Sequence, residues 1–150
     1  MKNDVSKKLI TAALKARKNA YAPYSDHPVG VAILSDDGKV YSGSNCEFAN
    51  YDNTCAENTA IAAMATDGGR KIRTVVVAGP GADYLCTPCG RCRQRIREFS
   101  DSGTRIYALW RDGRVGAVYT VAELLPHSFG PEHMAEVGKG PQKAGKKKHK

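Results

Sequence analysis

Near the start of the chain, apolar residues recur at three- and four-residue steps, and Lys and Arg fill the positions between them. This spacing places the apolar side chains on one face and predicts an amphipathic helix over residues 4–20. Two more helices are expected over residues 55–66, which are rich in Ala, and 89–99. Thr120 and Glu123 have the spacing of a capping box, which predicts a short fourth helix there.

Five shorter apolar segments predict β-strands, and Asp-Gly turns join two pairs of them. Asp-Gly dipeptides tolerate positive φ and are a strong hairpin signal between such segments. The strands are expected over residues 29–34, 40–44, 72–78, 104–110 and 115–119. The element order is therefore α-β-β-α-β-α-β-β-α, which predicts an α/β fold with one mixed sheet and helices packed on it.

The composition fits one domain with a single core. The chain has 150 residues, of which 41% are hydrophobic and 25% are charged, and these values exclude two large domains and wholesale disorder. The net charge is +8, but residues 138–150 contain six Lys and no acid, so that the rest of the chain carries only +2. We therefore expect a domain over residues 1–137 and a disordered Lys-rich tail over residues 138–150.

The location is expected to be the cytoplasm. The longest apolar runs have the length of strands, whereas a membrane span needs roughly 20 residues. The first residues, Met1-Lys2-Asn3-Asp4, lead into an amphipathic segment without the apolar core of a signal peptide. Five Cys in a reducing compartment suggest metal binding or catalysis before disulfides.

Two short motifs carry the chemistry, and each stands at the start of a predicted helix. They are Cys55-Ala56-Glu57 and, 33 residues later, Pro88-Cys89-Gly90-Arg91-Cys92. Helix N-termini have unpaired N–H groups and a partial positive charge, which favour the thiolate form that binds metal. Cys89 and Cys92 are on one helix face and can bind the same ion, and Cys55 supplies a third ligand. Three thiolates leave one of the four coordination positions of Zn²⁺ open. Water in that position becomes acidic, and Glu57 is placed to move its protons.

This combination is the signature of zinc-dependent nucleobase deaminases, which have three zinc ligands, a Glu that is not a ligand and a Pro-Cys-x-x-Cys segment. The competing interpretation is structural zinc, because Cys86, Cys89 and Cys92 also form overlapping Cys-x-x-Cys pairs. With Cys55 they would make a closed four-cysteine site. The Cys-Ala-Glu motif favours the catalytic site, and Cys46 and Cys86 are then expected to be spare thiols.

From about residue 20 to about residue 134, the chain resembles the small, homotetrameric cytidine deaminases. The zinc motifs are common to the deaminase superfamily, and the remaining segments narrow the resemblance to nucleoside deaminases. The matching segments are Ala22-Pro23-Tyr24-Ser25, Pro28-Val29-Gly30, Asn45-Cys46-Glu47, Cys55-Ala56-Glu57, Pro88-Cys89-Gly90-Arg91-Cys92-Arg93-Gln94 and Leu124-Leu125-Pro126-His127-Ser128-Phe129-Gly130-Pro131. The resemblance implies a three-layer cytidine-deaminase-like fold, with helices on both faces of a mixed five-stranded sheet.

The resemblance also implies an activity, the zinc-dependent hydrolytic deamination of cytidine, deoxycytidine or both in pyrimidine salvage. Cys55, Cys89 and Cys92 would hold one Zn²⁺ per chain, and water activated there would attack C4 of the cytosine ring. Glu57 would protonate N3 and then the departing ammonia.

Four more residues would contact the nucleoside by the same resemblance. Asn45 and Glu47 would hydrogen-bond the ribose 3′-hydroxyl as donor and acceptor, and the alternative for them is a satisfied polar cluster at a strand end. A homotetramer with shared pockets is implied, in which Phe129 and Tyr51 approach the site of a neighbouring subunit. The alternative for both aromatic residues is packing in a core or an interface.

Two residues depart from the family pattern. Asn58 stands where many relatives carry Arg, although Zn²⁺ with three thiolates has a formal charge of minus one and needs a neighbouring cation or several hydrogen bonds. Arg91 is the candidate for that role, and the alternative for it is a solvated helix Arg. His27 stands where relatives have a pocket-lining Phe, and it could add a hydrogen bond or a titrating group, or simply replace the aromatic ring.

Two other functions compete with this one. The same chemistry could act on an aminopyrimidine antibiotic such as blasticidin S, although Glu47 and the segment around Phe129 favour a nucleoside. A nucleic-acid-binding module with structural zinc could instead use the Lys-rich tail for salt-sensitive contacts to phosphates. The small charge of the rest of the chain argues against it, and no specific nucleic-acid partner is expected.

Overall fold

The computed structural model describes residues 5–135, which fold around a five-stranded mixed sheet. The predicted tail over residues 138–150 lies outside the described residues. The strands are β1 (Gly30–Ser35), β2 (Val40–Ser44), β3 (Ile72–Ala78), β4 (Arg105–Leu109) and β5 (Val115–Thr120). The helices are α1 (Lys7–Lys18), α2 (Ala56–Thr66), α3 (Gly90–Glu98), α4 (Val121–Leu124) and α5 (Glu132–Ala135). Among the described residues, none of the helices has the length and apolar character needed to cross a bilayer.

The strand order in the sheet is β2-β1-β3-β4-β5. β1 pairs antiparallel with β2 and β3, β3 pairs parallel with β4, and β4 pairs antiparallel with β5. A parallel pair needs a crossover connection, and α3 lies in the one between β3 and β4. β3 is the central strand and reads as a nearly continuous apolar run because both of its faces are covered.

Side chains that alternate along the strands form two cores, one on each face of the sheet. Val31, Val75 and Val77 pack with α2 and α3 on one face. Ala32 and Val76 pack with α1 on the other face. The molecule therefore has three layers, and the predicted fold class is confirmed.

The observed element bounds differ from the predicted ones by a few residues. α1 begins later than predicted because Ser6 caps it, with its hydroxyl oxygen accepting the Leu9 N–H at 3.4 Å. The capping box is present before α4, where Thr120 and Glu123 each accept a backbone N–H from the other. The sequence does not predict α5, since four residues are too few to show a helical period.

Gly43 in β2 lets α2 approach the sheet closely. A Cβ atom at Gly43 would lie 2.5 Å from the Ala60 nitrogen and 2.6 Å from the Ala56 carbonyl oxygen. Real Cβ atoms do not make contacts this short, so only glycine fits here without moving the helix. This close approach sets the position of the first turn of α2, where Cys55 and Glu57 are found.

Candidate active site

Three cysteines meet where the N-termini of two helices converge. Cys55 is the N-cap residue of α2, Cys89 is the N-cap residue of α3, and Cys92 lies in the first turn of α3. Their three sulfur atoms all lie within 4.8 Å of one another. The structure thus brings together the three predicted ligands, which come from distant parts of the sequence.

The helix starts leave the sulfur atoms available to a ligand. Neither Cys55 nor Cys89 uses its side chain to cap its helix. Burial opposes ionisation of Cys89, but hydrogen bonds from Cys92 and Cys55 outweigh it and lower the pKa of Cys89. Burial, followed by the charge of Glu57, raises the pKa of Cys92. Cys89 therefore loses its proton more easily than an ordinary thiol. The buried Cys92 loses its proton less easily, and a bound cation would favour that loss.

The donor set fits a soft, tetrahedral cation. Zn–S bonds are about 2.3 Å long, and sulfurs this close together can share one Zn²⁺. Cys86 is not a member of the cluster. Three protein sulfurs leave one coordination position for water or substrate, as catalytic zinc sites require. The residues present therefore fit zinc in an open site better than the four-cysteine structural site.

Glu57 faces the sulfur cluster from the first turn of α2. It is 5% exposed, and interaction with Cys92 is one of the influences on its carboxyl group. Burial is the main reason why the pKa of Glu57 is raised. A buried carboxyl group beside a candidate metal position is suited to accept and return protons.

Arg91 places a positive charge beside the cluster. Its Nη2 atom lies 3.8 Å from the Cys55 sulfur and 3.4 Å from the Asn53 carbonyl oxygen. The guanidinium group therefore bridges from α3 to the residues just before α2. Its position is compatible with the charge-offsetting role expected for it.

A cavity of about 390 Å³ extends from the cluster. This volume lies within the usual range for small-molecule sites. Its lining residues are Ser25, His27, Val29, Asn45, Glu47, Asn53, Thr54, Cys55, Ala56, Glu57, Cys86, Thr87 and Cys89. The cavity thus has a metal end at Cys55, Glu57 and Cys89, and a second polar group at Asn45 and Glu47, which we call the hydroxyl end.

Asn45 holds a neighbouring loop through its amide group. Its side-chain oxygen accepts the Val29 N–H at 2.8 Å, and its side-chain nitrogen donates to the His27 carbonyl oxygen at 3.1 Å. Each contact uses one hydrogen-bonding position of the amide. One N–H and one lone pair of Asn45 remain.

Glu47 is buried and fixed by three donors. Its carboxylate accepts the Tyr24 N–H at 3.0 Å, the Ser25 N–H at 3.1 Å and the Ser25 hydroxyl. The Ser25 hydroxyl is the main reason why the pKa of Glu47 is lowered. The sequence did not predict this role of Ser25. The one feature that could have indicated it is a hydroxyl side chain in a turn segment, where backbone N–H groups are often available to an acceptor from elsewhere in the chain.

His27 lines the cavity together with Cys86, and it also contacts Tyr84. Its Nδ1 atom lies 3.3 Å from the Tyr84 hydroxyl, and its Nε2 atom lies 3.9 Å from the Cys86 sulfur. Burial raises the pKa of Cys86 to about 11, so this residue is a neutral thiol near neutral pH. The wall is therefore more polar than a Phe at this position would make it.

Tyr51 and Phe129 do not line the cavity of their own chain. Tyr51 is 84% exposed and has a positive φ of 63°, and Phe129 is 58% exposed. The described chain alone therefore does not bring these two predicted site residues to the cluster.

Comparison with known proteins places this site in a family. Residues 3–108 match the family model described as the cytidine and deoxycytidylate deaminase zinc-binding region. The chain belongs to this family. The match confirms the recognised resemblance, and together with the sulfur cluster it confirms zinc as the predicted cofactor.

Named relatives extend the likeness over most of the chain. A cytidine deaminase of Sporosarcina psychrophila is 40% identical over 129 residues, which cover 85% of this chain and 93% of the relative. A cytidine deaminase of Mycobacterium tuberculosis is 41% identical over 120 residues, covering 79% and 84%.

Solved structures agree with the sequence comparison. The crystal structure of cytidine deaminase from Burkholderia pseudomallei has a TM-score of 0.77 and 37% identity, covering 83% of this chain and 99% of that one. The structure of cytidine deaminase from Mycobacterium leprae has a TM-score of 0.70 and 39% identity, covering 83% and 100%. Both fold and family are thus shared with cytidine deaminases along nearly their full length.

Proposed function

We propose that this chain is a zinc-dependent hydrolase that converts cytidine, deoxycytidine or both to uridine or deoxyuridine and ammonia. The observation that carries the proposal is the joining of Cys55, Cys89, Cys92 and Glu57 at one end of a cavity of suitable size. The family relationship supports the same reaction. Neither the blasticidin S alternative nor the nucleic-acid alternative has a comparable observation in its favour.

In this proposal, Cys55, Cys89 and Cys92 hold one Zn²⁺ per chain. When bound, zinc lowers the pKa of a coordinated water from about 15.7 toward about 7, which makes a nucleophile available at neutral pH. The two helix N-termini favour negative charge at the sulfurs and so support metal binding.

Glu57 moves the protons of the reaction. Its carboxylate accepts a proton from the water that attacks C4 and delivers it to N3 of the ring. It then accepts the proton of the hydroxyl group formed on C4 and transfers it to the amino group, which leaves as ammonia while the C4 carbonyl forms. Burial keeps Glu57 out of bulk water, so that these protons pass between carboxylate and substrate.

Asn45 and Glu47 bind a sugar hydroxyl, for which the 3′-hydroxyl is the candidate. A carboxylate has about four lone-pair positions, of which Glu47 uses three, and Asn45 has one N–H left. A hydroxyl group can accept from that N–H and donate to that lone pair at the same time. The hydroxyl end is thus both a satisfied polar cluster and a binding site with one donor on Asn45 and further acceptor positions on Asn45 and Glu47 to spare.

Arg91 offsets the negative charge of zinc with three thiolates. Its distance of 3.8 Å from the Cys55 sulfur supports this role. A cation at that position draws negative charge from the thiolates, so that they would oppose the loss of a proton from a coordinated water less strongly.

The proposal includes a homotetramer in which Phe129 and Tyr51 complete the site of a neighbouring subunit. Both residues are exposed in the single chain, which supports a role outside their own cavity. We also propose a cytoplasmic location, with which five cysteines that form no disulfides in the described part of the chain agree.

The test is ammonia release from cytidine by the zinc-loaded protein. Glu57→Gln should reduce turnover by roughly 10²- to 10⁴-fold, the usual contribution of a proton-transferring side chain. Glu98→Gln, an exposed change on α3, serves as the matched control and should not alter the rate. Equal rates for the wild type and Glu57→Gln would overturn the mechanism, and a substrate panel that favours blasticidin S would overturn the substrate.

A further inference from the structure

Phe129 is an exposed aromatic residue whose backbone is nevertheless held firmly. Its ring is 58% exposed and stacks on His133, with a centroid distance of 5.0 Å. The side-chain amide of Gln94 donates to the Phe129 carbonyl oxygen at 2.9 Å. Because the backbone is already held in place, little further backbone entropy is lost when a partner buries the ring.

The residues on either side of Phe129 are fixed as well. Arg97 donates to the Ser128 hydroxyl at 3.0 Å and forms an ion pair with Glu132. Gly130 permits this pair, because a Cβ there would lie 2.5 Å from both Arg97 and Glu132 side-chain atoms. The segment around Phe129 is therefore shaped by close packing against the Arg97 side chain.

The hydrogen bonds from Gln94 and Arg97 come from α3, the helix that carries Cys92. Arg93 continues the pattern, since it donates to the Leu124 carbonyl oxygen at 3.0 Å and to the Pro88 carbonyl oxygen at 2.7 Å. Arg93 thus joins the residue before Cys89 to the start of the segment that ends at Phe129. Hydrogen bonds from α3 thus connect the metal end of the cavity to the segment that carries the exposed aromatic ring.

We propose that Gln94 is a positioning residue that presents Phe129 to the active site of a second copy of this chain. The inference rests on the proposed function, in which Phe129 acts in a neighbouring subunit. Gln94 itself touches no substrate, and it acts through the backbone of Phe129. α3 therefore serves two sites: its N-terminus supplies sulfur ligands to its own site, and its next turn orients a ring for another.

The first test is the variant Gln94→Met. The Met side chain is about as long as that of Gln but has no N–H donor for the Phe129 carbonyl oxygen. We expect KM for cytidine to rise roughly two- to ten-fold, the effect of losing one hydrogen bond, with kcat changed less than about two-fold. Bound zinc and the oligomeric state should stay the same. Glu98→Met, one turn further along α3, is the control and should leave KM unchanged. An unchanged KM in Gln94→Met, or a loss of zinc from it, would overturn the proposal.

The second test separates action in the neighbour from action within the chain. Mixed oligomers are assembled from a few Gln94→Met chains and an excess of Glu57→Gln chains. The Glu57→Gln chains keep the Gln94 contact to Phe129 but have little turnover of their own. The measured activity then comes from Gln94→Met sites that receive Phe129 mainly from intact neighbours, and KM should return toward the wild-type value. A KM as high as in the Gln94→Met homomer, or a wild type that is monomeric, contradicts the proposal. Absence of ammonia release from the wild type would instead refute the proposed function.

Discussion

The two ends of the cavity are built in opposite ways. At the metal end, Cys55 and Cys89 stand at helix starts without capping hydrogen bonds, and their sulfurs are directed at one another. At the hydroxyl end, Asn45 and Glu47 already make five hydrogen bonds to residues of a nearby loop. The first end needs an ion to complete it, whereas the second is complete before substrate arrives.

This difference shows how one fold divides the work of binding and catalysis. The metal end depends on a cofactor to organise groups that would otherwise repel one another when ionised. The hydroxyl end is organised by the protein itself, so that a sugar bound there, as we propose, would have little reorganisation to induce. Four experiments test this contrast, and the first has the largest expected effect.

Removal of the metal with a chelator should reduce activity to the uncatalysed background, and added Zn²⁺ should restore it. The same treatment should increase hydrogen exchange in the first turns of α2 and α3, because the sulfurs lose the ion that links them. The amides of Tyr24, Ser25 and Val29 donate to the hydroxyl end and should keep their protection. Equal loosening of both ends, measured by exchange and mass spectrometry, would remove the contrast.

Arg91→Ala should lower zinc affinity or turnover by roughly ten- to hundred-fold, as loss of a residue beside metal ligands commonly does. The reason is the loss of the positively charged side chain that we assign to the cluster, 3.8 Å from the Cys55 sulfur. Zinc content and turnover are measured together, with Arg73→Ala on the exposed part of β3 as control. If both quantities are unchanged, Arg91 is a solvated helix residue.

Ser25→Ala should act on binding at the hydroxyl end and leave the chemistry alone. Without the Ser25 hydroxyl, Glu47 loses one of its three donors, and KM for cytidine should rise roughly three- to ten-fold with kcat nearly unchanged. A 3′-deoxy analogue lacks the hydroxyl that Glu47 would accept from, so its KM should change much less. Equal effects on both substrates would separate Ser25 from sugar recognition.

The smallest expected effect is a pH dependence of folding stability. The pKa of Glu47 is lowered from its ordinary value of 4.5, mainly by the Ser25 hydroxyl. The carboxylate therefore stabilises the fold fully above about pH 4.5, and this contribution fades as the pH falls through the lower pKa of the folded state. In urea unfolding, Glu47→Gln should be less stable than the wild type near neutral pH, and the difference should shrink in acid. Asp83→Asn, at an exposed acid, is the matched control.

Sequence patterns predicted the metal end better than the hydroxyl end for a physical reason. Cys89 and Cys92 are three residues apart on one helix, and Cys55 and Glu57 are two residues apart at the start of another, so their spacing is visible in the sequence. Ser25 and Glu47 meet across a separation of 22 residues that follows no helical or strand period. Their contact depends on how the loop before β1 folds back over the residues after β2.

The same reasoning explains where the fold was predictable. Strands with Asp-Gly turns and helices with regular apolar spacing were found within a few residues, because these signals are local. The contacts of Gln94 and Arg97 with the segment around Phe129 span 35 and 31 residues, and nothing in the sequence reveals which carbonyl or hydroxyl group each would meet. Family resemblance could suggest a role for Phe129, but only the packing of α3 shows what holds it.

The absence of a side chain at Gly43 has a consequence for anyone who alters this enzyme. The glycine is on an edge strand, away from the sulfurs, yet even alanine there would displace the backbone of α2 next to Ala56 and Ala60. Such a variant would be recovered in an activity screen as if it carried an active-site lesion. Libraries intended to change substrate preference should therefore keep this position fixed and vary the wall at His27 instead.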